Sequence, residues 1–436
     1  MMVKTRKYQK IGVNLLLATF IFKGQVSTVM TERDNIVLIT ADSFRSDYCG
    51  WLGRKPSPTK TLDEIASDGV SFTQAVSPGP STHESMPTIF TGDEAVIGVR
   101  GIESQANIRE ILSRGRTIPE RLSERGYTTI GITANPFTSR AYGYDRDFDQ
   151  FIDFLDSNKR TKIESTVRKQ WAGNKLWRGL RFILNMSGRG DVSLRWDDYY
   201  EQILSTLQSA TSPIFLWVFI LEPHWPYQPS RKNRNGISLP SQLKLNWKAS
   251  NLSNRTPSKD EAEKLRRLYE GTIRDVDEFV EKIVDDLSGL NPALIFHADH
   301  GEEFGENGHF GHGARLYPEN IHVPLLIGNI NQSDTITDPI SLRNLPTMIE
   351  QIADGEFYPH EFTAQWSHAK TTLGDVATRS NRWHYYANRA GEKVYSDFSV
   401  DDKILRKQVE TLTERKRLFE IERQLCRKTV ADLTSL

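Results

Sequence analysis

Residues 298–313 read Ala-Asp-His-Gly-Glu-Glu-Phe-Gly-Glu-Asn-Gly-His-Phe-Gly-His-Gly. Asp299 and His300, with His309 and His312 close behind, offer hard-oxygen and imidazole donors for a metal, plus spare acid–base groups. Glycines at 301, 305, 308, 311 and 313 make the segment permissive enough to fold back on itself. A solvated polar turn has much the same composition, so the segment needs partners before it can be read as a site. Asp42 is one, in Asp42-Ser-Phe-Arg. Thr82 is another, at the start of the stretch Thr82–Phe90 that Gly92 can close as a helix. A hydroxyl at a helix N-terminus lies in positive potential, which also attracts anions. Bound to a metal, such a hydroxyl loses its proton more readily and becomes a nucleophile. Helix capping by Ser81 or Thr82 would account for the same residues. His224, in Leu221-Glu-Pro-His-Trp-Pro-Tyr227, sits in a loop stiffened by prolines.

The elements that would position these groups follow from the apolar runs. Asn35-Ile-Val-Leu-Ile-Thr ends just before Asp42, Ile214–Ile220 ends just before the His224 segment, and Ala293-Leu-Ile-Phe ends just before Asp299. Each reads as a buried parallel strand. Thr128–Ala134 and Val323-Pro-Leu-Leu-Ile read as two more. Between them fall helices: Thr61 to Asp68, stopped at Gly69; one opened by the capping box Thr117-Ile-Pro-Glu120; and a long amphipathic helix from Glu261 to Leu287. Strand alternating with helix predicts an α/β fold with a doubly wound, mostly parallel central sheet and helices on both faces. Asp42, His224 and Asp299 then share one edge, since open α/β sheets gather their chemistry at the carboxyl ends of strands.

The chain has 436 residues, enough for one large α/β domain with insertions. The expected division is an N-terminal extension over 1–30, a catalytic domain over 31–350, and C-terminal strands with a closing helix, a small α+β part, over 351–436. Lys+Arg and Asp+Glu both total 56, so no global field points to nucleic acid. Two cysteines exclude a disulfide framework and an all-thiolate zinc site. An insertion over 157–195 carries ten Lys or Arg interleaved with aromatic residues. It could touch a membrane surface, but a solvated lid is the simpler reading. A second insertion, 228–260, is polar and reads as a surface loop. Lys4, Arg6, Lys7 and Lys10 precede the apolar stretch Ile11–Phe22, which resembles a signal peptide but is shorter than a bilayer span. Export follows if residues 1–29 are a signal; a cytoplasmic protein follows if Met30 is the true start.

The ordered set of segments resembles the sulfatase family, within the alkaline-phosphatase-like superfamily of metal-dependent ester hydrolases. The resemblance runs from about residue 33 to 395. It is carried by Asp42-Ser-Phe-Arg, Pro58-Thr-Lys-Thr-Leu-Asp-Glu-Ile-Ala, the Pro-Ser-Thr-His-Glu-Ser-Met-Pro loop ending Phe90-Thr-Gly, Gly126–Asn135, Pro223-His-Trp-Pro-Tyr, Tyr269–Asp277 and Asp299-His-Gly-Glu. It implies that Asp42, Thr82, Asp299 and His300 hold one divalent metal, with Thr82 as nucleophile. It further implies that His224 and His312 hold the substrate's anionic oxygens or protonate the leaving oxygen, with His309 and Asn135 as substrate-contacting candidates. Two carboxylates with one imidazole lean toward a hard ion, Ca2+ or Mn2+, with Zn2+ also within the donor set.

Departures from the family pattern shape the expected chemistry. Typical sulfatases place Cys or Ser, Pro and Arg at the positions of Thr82, Glu84 and Met86, and convert the first to formylglycine; threonine cannot undergo that conversion. Ser43 stands where a second Asp is usual, His312 where Lys is usual, and Asn307 where another histidine is common. The expected activity is sulfate-ester hydrolysis through Thr82. The alternatives are a phosphodiesterase, or a transferase of the phosphoethanolamine or glycerol-phosphate type, and a non-catalytic glycan-binding relative. The expected substrate is a sulfated or phosphorylated small molecule or glycan.

Overall fold

A computed structural model describes residues 35–94, 102–154, 194–250, 257–388 and 391–396. The chain divides into two units, Met1–Glu32 and Arg33–Leu436, and only the second is described here. The signal-like stretch, the basic core of the 157–195 insertion and the tail from Asp401 lie outside the described residues. Among those described, no helix is long and apolar enough to cross a membrane.

In chain order the main elements are β1 (Ile36–Ala41), α1 (Lys60–Asp68), β2 (Val70–Val76), α2 (Thr82–Thr91), α3 (Ile102–Arg114), α4 (Ile118–Ser123), β3 (Thr128–Thr133) and β4 (Gln150–Asp153). Then come α5 (Trp196–Gln208), β5 (Ile214–Ile220), α6 (Leu239–Ala249), α7 (Lys259–Asp286), β6 (Ala293–Ala298), α8 (Pro318–Ile321), β7 (His322–Gly328), β8 (Asp334–Ile336), β9 (Ile340–Ser341) and α9 (Leu345–Asp354). Among the described residues the central sheet has nine strands in the order β4-β3-β5-β1-β6-β7-β2-β8, with β9 also beside β2. All its pairings are parallel except those of β7 with β6 and β2. Helices α1, α6 and α7 pack together, and α2, α3, α4 and α9 form a second group, so each face of the sheet is covered. Four strands, Ser367–Lys370, Val376–Arg379, Trp383–Asn388 and Gly391–Ser396, form a separate antiparallel sheet.

The central strands are mostly apolar because both faces are buried: every residue of β1, β5 and β6 is buried. The polar exceptions satisfy one another. Trp217 Nε1 donates to Thr40 Oγ1 at 3.0 Å, and Thr40 Oγ1 lies 2.9 Å from His297 Nε2. Burial pushes His297 down to about 4, so it serves this triad as a neutral ring. The capping box at Thr117 and Glu120 forms as its spacing predicts, and α7 opens with another at Ser258 and Glu261.

The 228–260 insertion is not merely a loop. It contains α6, whose Gln242, Leu245, Asn246 and Ala249 are buried. Asn246 accepts from the Tyr227 backbone N–H at 2.9 Å and donates to the Tyr227 carbonyl at 2.9 Å. A polar residue therefore marks the inward face of that helix, which is why hydrophobic periodicity did not show it.

Candidate active site

Parallel register brings the strand ends together: Ala41 pairs with both Ile220 and Ala298. Asp42, the Leu221–Tyr227 segment and Asp299 consequently emerge side by side. Asn135 follows β3 at the same edge, its strand pairing Thr133 with Phe219. Helix α2 starts at Thr82 and ends on Gly92, whose φ of 82° is the left-handed conformation that its missing side chain permits. Ser81 occupies the N-cap position but makes no capping hydrogen bond; its hydroxyl donates instead to Glu84 Oε2 at 2.9 Å. The capping explanation for these hydroxyls is therefore not what the structure contains.

Asp42, Asp299 and His300 are each fully buried, and Thr82 nearly so. His300 Nε2 lies 3.3 Å from Thr82 Oγ1, 3.5 Å from Asp42 Oδ1 and 3.5 Å from Asp299 Oδ2. Donors spaced in this way suit the edges of a coordination shell, ~3.4 Å for a tetrahedron of ~2.1 Å bonds or for an octahedron of ~2.4 Å bonds. Three further observations fit a cation. Asp299 Oδ2 is buried with no hydrogen-bond partner, whereas Oδ1 accepts from the backbone N–H groups of Ser43 at 3.2 Å and His300 at 2.8 Å. His300 Nδ1 donates to the Gly301 carbonyl at 2.9 Å, which leaves Nε2 with its lone pair facing the carboxylates. Among the described residues, Asp42, Asp299 and His300 are the one His/Cys/Asp/Glu group able to converge on an ion.

Electrostatics point the same way. Burial, then the charge of Asp299, pushes Asp42 up to about 6, against the pull of His224 and His300. Burial pushes Asp299 up to about 7, although the nearby Thr82 hydroxyl, the backbone N–H groups of Ser43 and His300 and the charge of His224 oppose it. Burial and the neighbouring His312 press His300 down to about 3. A pocket that strains two carboxylates toward protonation and holds an imidazole neutral has its charge deficit in the place a divalent cation would fill.

Supporting contacts reach this centre from several elements. Asn135 Nδ2 donates to Asp42 Oδ2 at 2.6 Å and lies 3.5 Å from Thr82 Oγ1. Ser43 sits at a φ of 58° and gives its hydroxyl to Asp42 Oδ1 at 2.9 Å. Such a conformation is rare for a residue with a side chain and is tolerated where the surroundings over-determine it. Tyr269 of α7 does so, donating to the Ser43 carbonyl at 2.6 Å and accepting from the Arg45 N–H at 2.8 Å.

The remaining candidates fall around the cluster. The His312 ring stands 4.3 Å from that of His300 and 5.1 Å from that of His224. His224 is held above its usual range: burial lowers it, but Asp42 and Glu302 outweigh that. His309 is exposed, its ring 6.3 Å from that of Tyr317. The glycine-rich loop closes on itself through a bridge between Phe304 and Phe310, with φ values of 98°, 76° and 77° at Gly305, Gly308 and Gly311. Glu302 and Tyr227 were not singled out from sequence as functional, yet Glu302 Oε1 lies 3.2 Å from His312 Nδ1 and Tyr227 donates to Glu302 Oε2 at 3.1 Å. The signal was their position inside segments already marked, two residues after His300 and three after His224.

The chain belongs to the sulfatase family: the family model, described as Sulfatase, matches residues 34–354. It is similar to an arylsulfatase of Clostridium perfringens, 23% identical over 438 residues, covering 86% of this chain and 89% of that protein. Its fold is shared with the phosphonate monoester hydrolase of Agrobacterium radiobacter (TM-score 0.60, 16% identity, 91% of this chain and 96% of that one). It is shared too with the soluble domain of lipooligosaccharide phosphoethanolamine transferase A from Neisseria meningitidis (TM-score 0.52, 14% identity, 77% and 93%).

Proposed function

We propose that this chain is a metal-dependent hydrolase of sulfate esters, acting on a sulfated small molecule or glycan through Thr82. The observation that carries the reading is the buried convergence of Thr82 Oγ1, Asp42, Asp299 and His300 around an unpartnered carboxylate oxygen. These four residues would hold one divalent ion; the donor set leans to Ca2+ or Mn2+ and admits Zn2+. When bound, that ion would lower the pKa of the Thr82 hydroxyl and offset negative charge on the transferring group. Thr82 Oγ would attack sulfur, and the bond to the alcohol would break. Asn135 is placed to hold Thr82 and Asp42 in register through its amide. His224 and His312 would hold the anionic oxygens and return a proton to the leaving oxygen. Water would then release the Thr82 ester. No formylglycine is involved, since threonine cannot give the aldehyde.

Threonine at the nucleophile position favours a second reading, hydrolysis or transfer of a phosphodiester or phosphonate monoester by the same residues. One panel tests both: an aryl sulfate, an aryl phosphate and an aryl phosphodiester, each with Mn2+, Ca2+ or Zn2+. Thr82→Ala should abolish turnover, lowering kcat by more than about 10³-fold, while Ser81→Ala should retain it. The reverse pattern would move the nucleophile to Ser81, and no turnover by wild type with any pairing would make the chain a binding protein.

A further inference from the structure

We infer that Glu302 is a positioning residue for His312, holding its imidazole as the Nδ1–H tautomer and fixing its place between His300 and His224. The inference rests on the reading of His312 as a substrate-handling group and goes beyond it by naming what makes an imidazole usable at that position. Where the family usually has Lys, no such device is needed, because an ammonium presents equivalent protons in every direction. Imidazole has two unlike nitrogens, and which one carries the proton is set by the hydrogen bond the other makes.

Glu302 is fully buried and fixed at every polar atom of its side chain and backbone. Its N–H donates to the Glu319 carbonyl at 2.9 Å, and its carbonyl accepts from Arg45 Nη1 at 2.9 Å. Its Oε2 accepts from the Tyr227 hydroxyl at 3.1 Å, and its Oε1 lies 3.2 Å from His312 Nδ1. Tyr227 is itself buried and clamped by Asn246, so the carboxylate joins the loop after β5 to the glycine-rich loop. One side chain thereby sets the spacing of the two histidine-bearing loops. His224 and His300 are held in the same sense, each through Nδ1 to a backbone carbonyl, of Trp225 and of Gly301. Carbonyls and a carboxylate only accept, so each of the three rings, when neutral, carries its proton on Nδ1 and leaves Nε2 basic. A second proton on Nε2 of His224 or His312 would turn that nitrogen into the donor that an anionic or leaving oxygen needs. His312 alone among the three owes this to a side chain, and so to a residue that can be exchanged.

The test uses full-length, metal-free protein labelled with 15N in its histidine rings, at an alkaline pH where the imidazoles are neutral. Two-bond nitrogen–proton correlations report the tautomer, and the His312 signal is identified by its loss in His312→Gln. The expected result is Nδ1–H for His312 in wild type, retained in Glu302→Gln, whose amide oxygen still accepts, and lost in Glu302→Ala. Turnover of the preferred aryl ester should fall about 10–100-fold in Glu302→Ala and recover most of the way in Glu302→Gln, with Mn2+ affinity unchanged. An Nε2–H signal in wild type, an unchanged tautomer in Glu302→Ala, or full turnover in that variant overturns the inference. The Nδ1–H signal in a wild type that turns over no ester upholds the positioning and overturns the hydrolase reading instead.

Discussion

Replacing Asp299 with asparagine should stabilise the metal-free protein at alkaline pH while destroying its capacity for metal. Burial pushes this carboxylate up to about 7 from an ordinary value of 3.8. A carboxyl whose folded pKa is raised disfavours the fold once it is ionised. The penalty is small below pH ~4, grows as pH rises between the two values, and is complete above pH ~7. A difference of about three units at about 1.4 kcal/mol each amounts to about 4 kcal/mol. Asparagine keeps the oxygen that accepts from the Ser43 and His300 N–H groups, and its amide nitrogen takes the place of the unpartnered Oδ2. Metal-free Asp299→Asn is therefore expected to exceed wild type by about 2–4 kcal/mol at pH 8 and by about 1 kcal/mol or less at pH 4.5. Urea unfolding of EDTA-treated protein at both pH values measures the gap. Restoring Mn2+ should raise the wild-type midpoint and leave the variant's unchanged. A variant no more stable than wild type at pH 8, or a gap independent of pH, would refute the assignment of Asp299 to a strained, cation-seeking site.

Two further substitutions probe the supports. Tyr269→Phe leaves the buried Ser43 carbonyl and Arg45 N–H without their shared partner and should cost about 1–3 kcal/mol in urea unfolding. It should also weaken Mn2+ binding in calorimetry, because Ser43 carries contacts to both Asp42 and Asp299. Asn246→Ala removes both hydrogen bonds to the Tyr227 backbone and should lower stability by about 2–4 kcal/mol. In a thermal melt this variant should unfold several degrees below wild type; equal midpoints would mean that α6 is not what holds the loop.

The strands, the long helix and the acids at strand ends were legible because each leaves a local trace: a β-branched run, a 3.6-residue period, or a carboxylate after an apolar stretch. Asp42, Thr82, Asp299 and His300 are the set that the family resemblance implied, and the first three each place an oxygen within 3.5 Å of His300 Nε2. Helix α6 was hidden because its inward face carries Gln242 and Asn246 as well as Leu245, so polarity resembled solvent exposure. Glu302 was hidden for the same reason, since a glutamate in a glycine-rich loop looks solvated until the fold buries it completely. The reversed direction of β7 was also not legible, because an apolar run carries no sign of which way it pairs.

The placement of β1 has a consequence for assembly. It is the first strand of the sheet to be synthesised, yet its neighbours on either side are β5, whose Phe215 pairs with Ile36, and β6, whose Ala293 does the same. Its β5 flank thus stays open until about half of this sequence has been made, and its β6 flank until about two thirds has. Pairings between such distant segments must overcome loop-closure entropy before they return any stability, which makes the topology intrinsically slow to fold. In the interval, Ile36–Ala41 is a naked apolar strand with two exposed edges, the kind of segment most prone to pair with the wrong chain. Because Asp42 closes that strand and Asp299 closes the one that completes it, metal affinity would arise only as the last central strand docks. Uptake of the ion would then report, in real time, the moment at which the nascent protein becomes native.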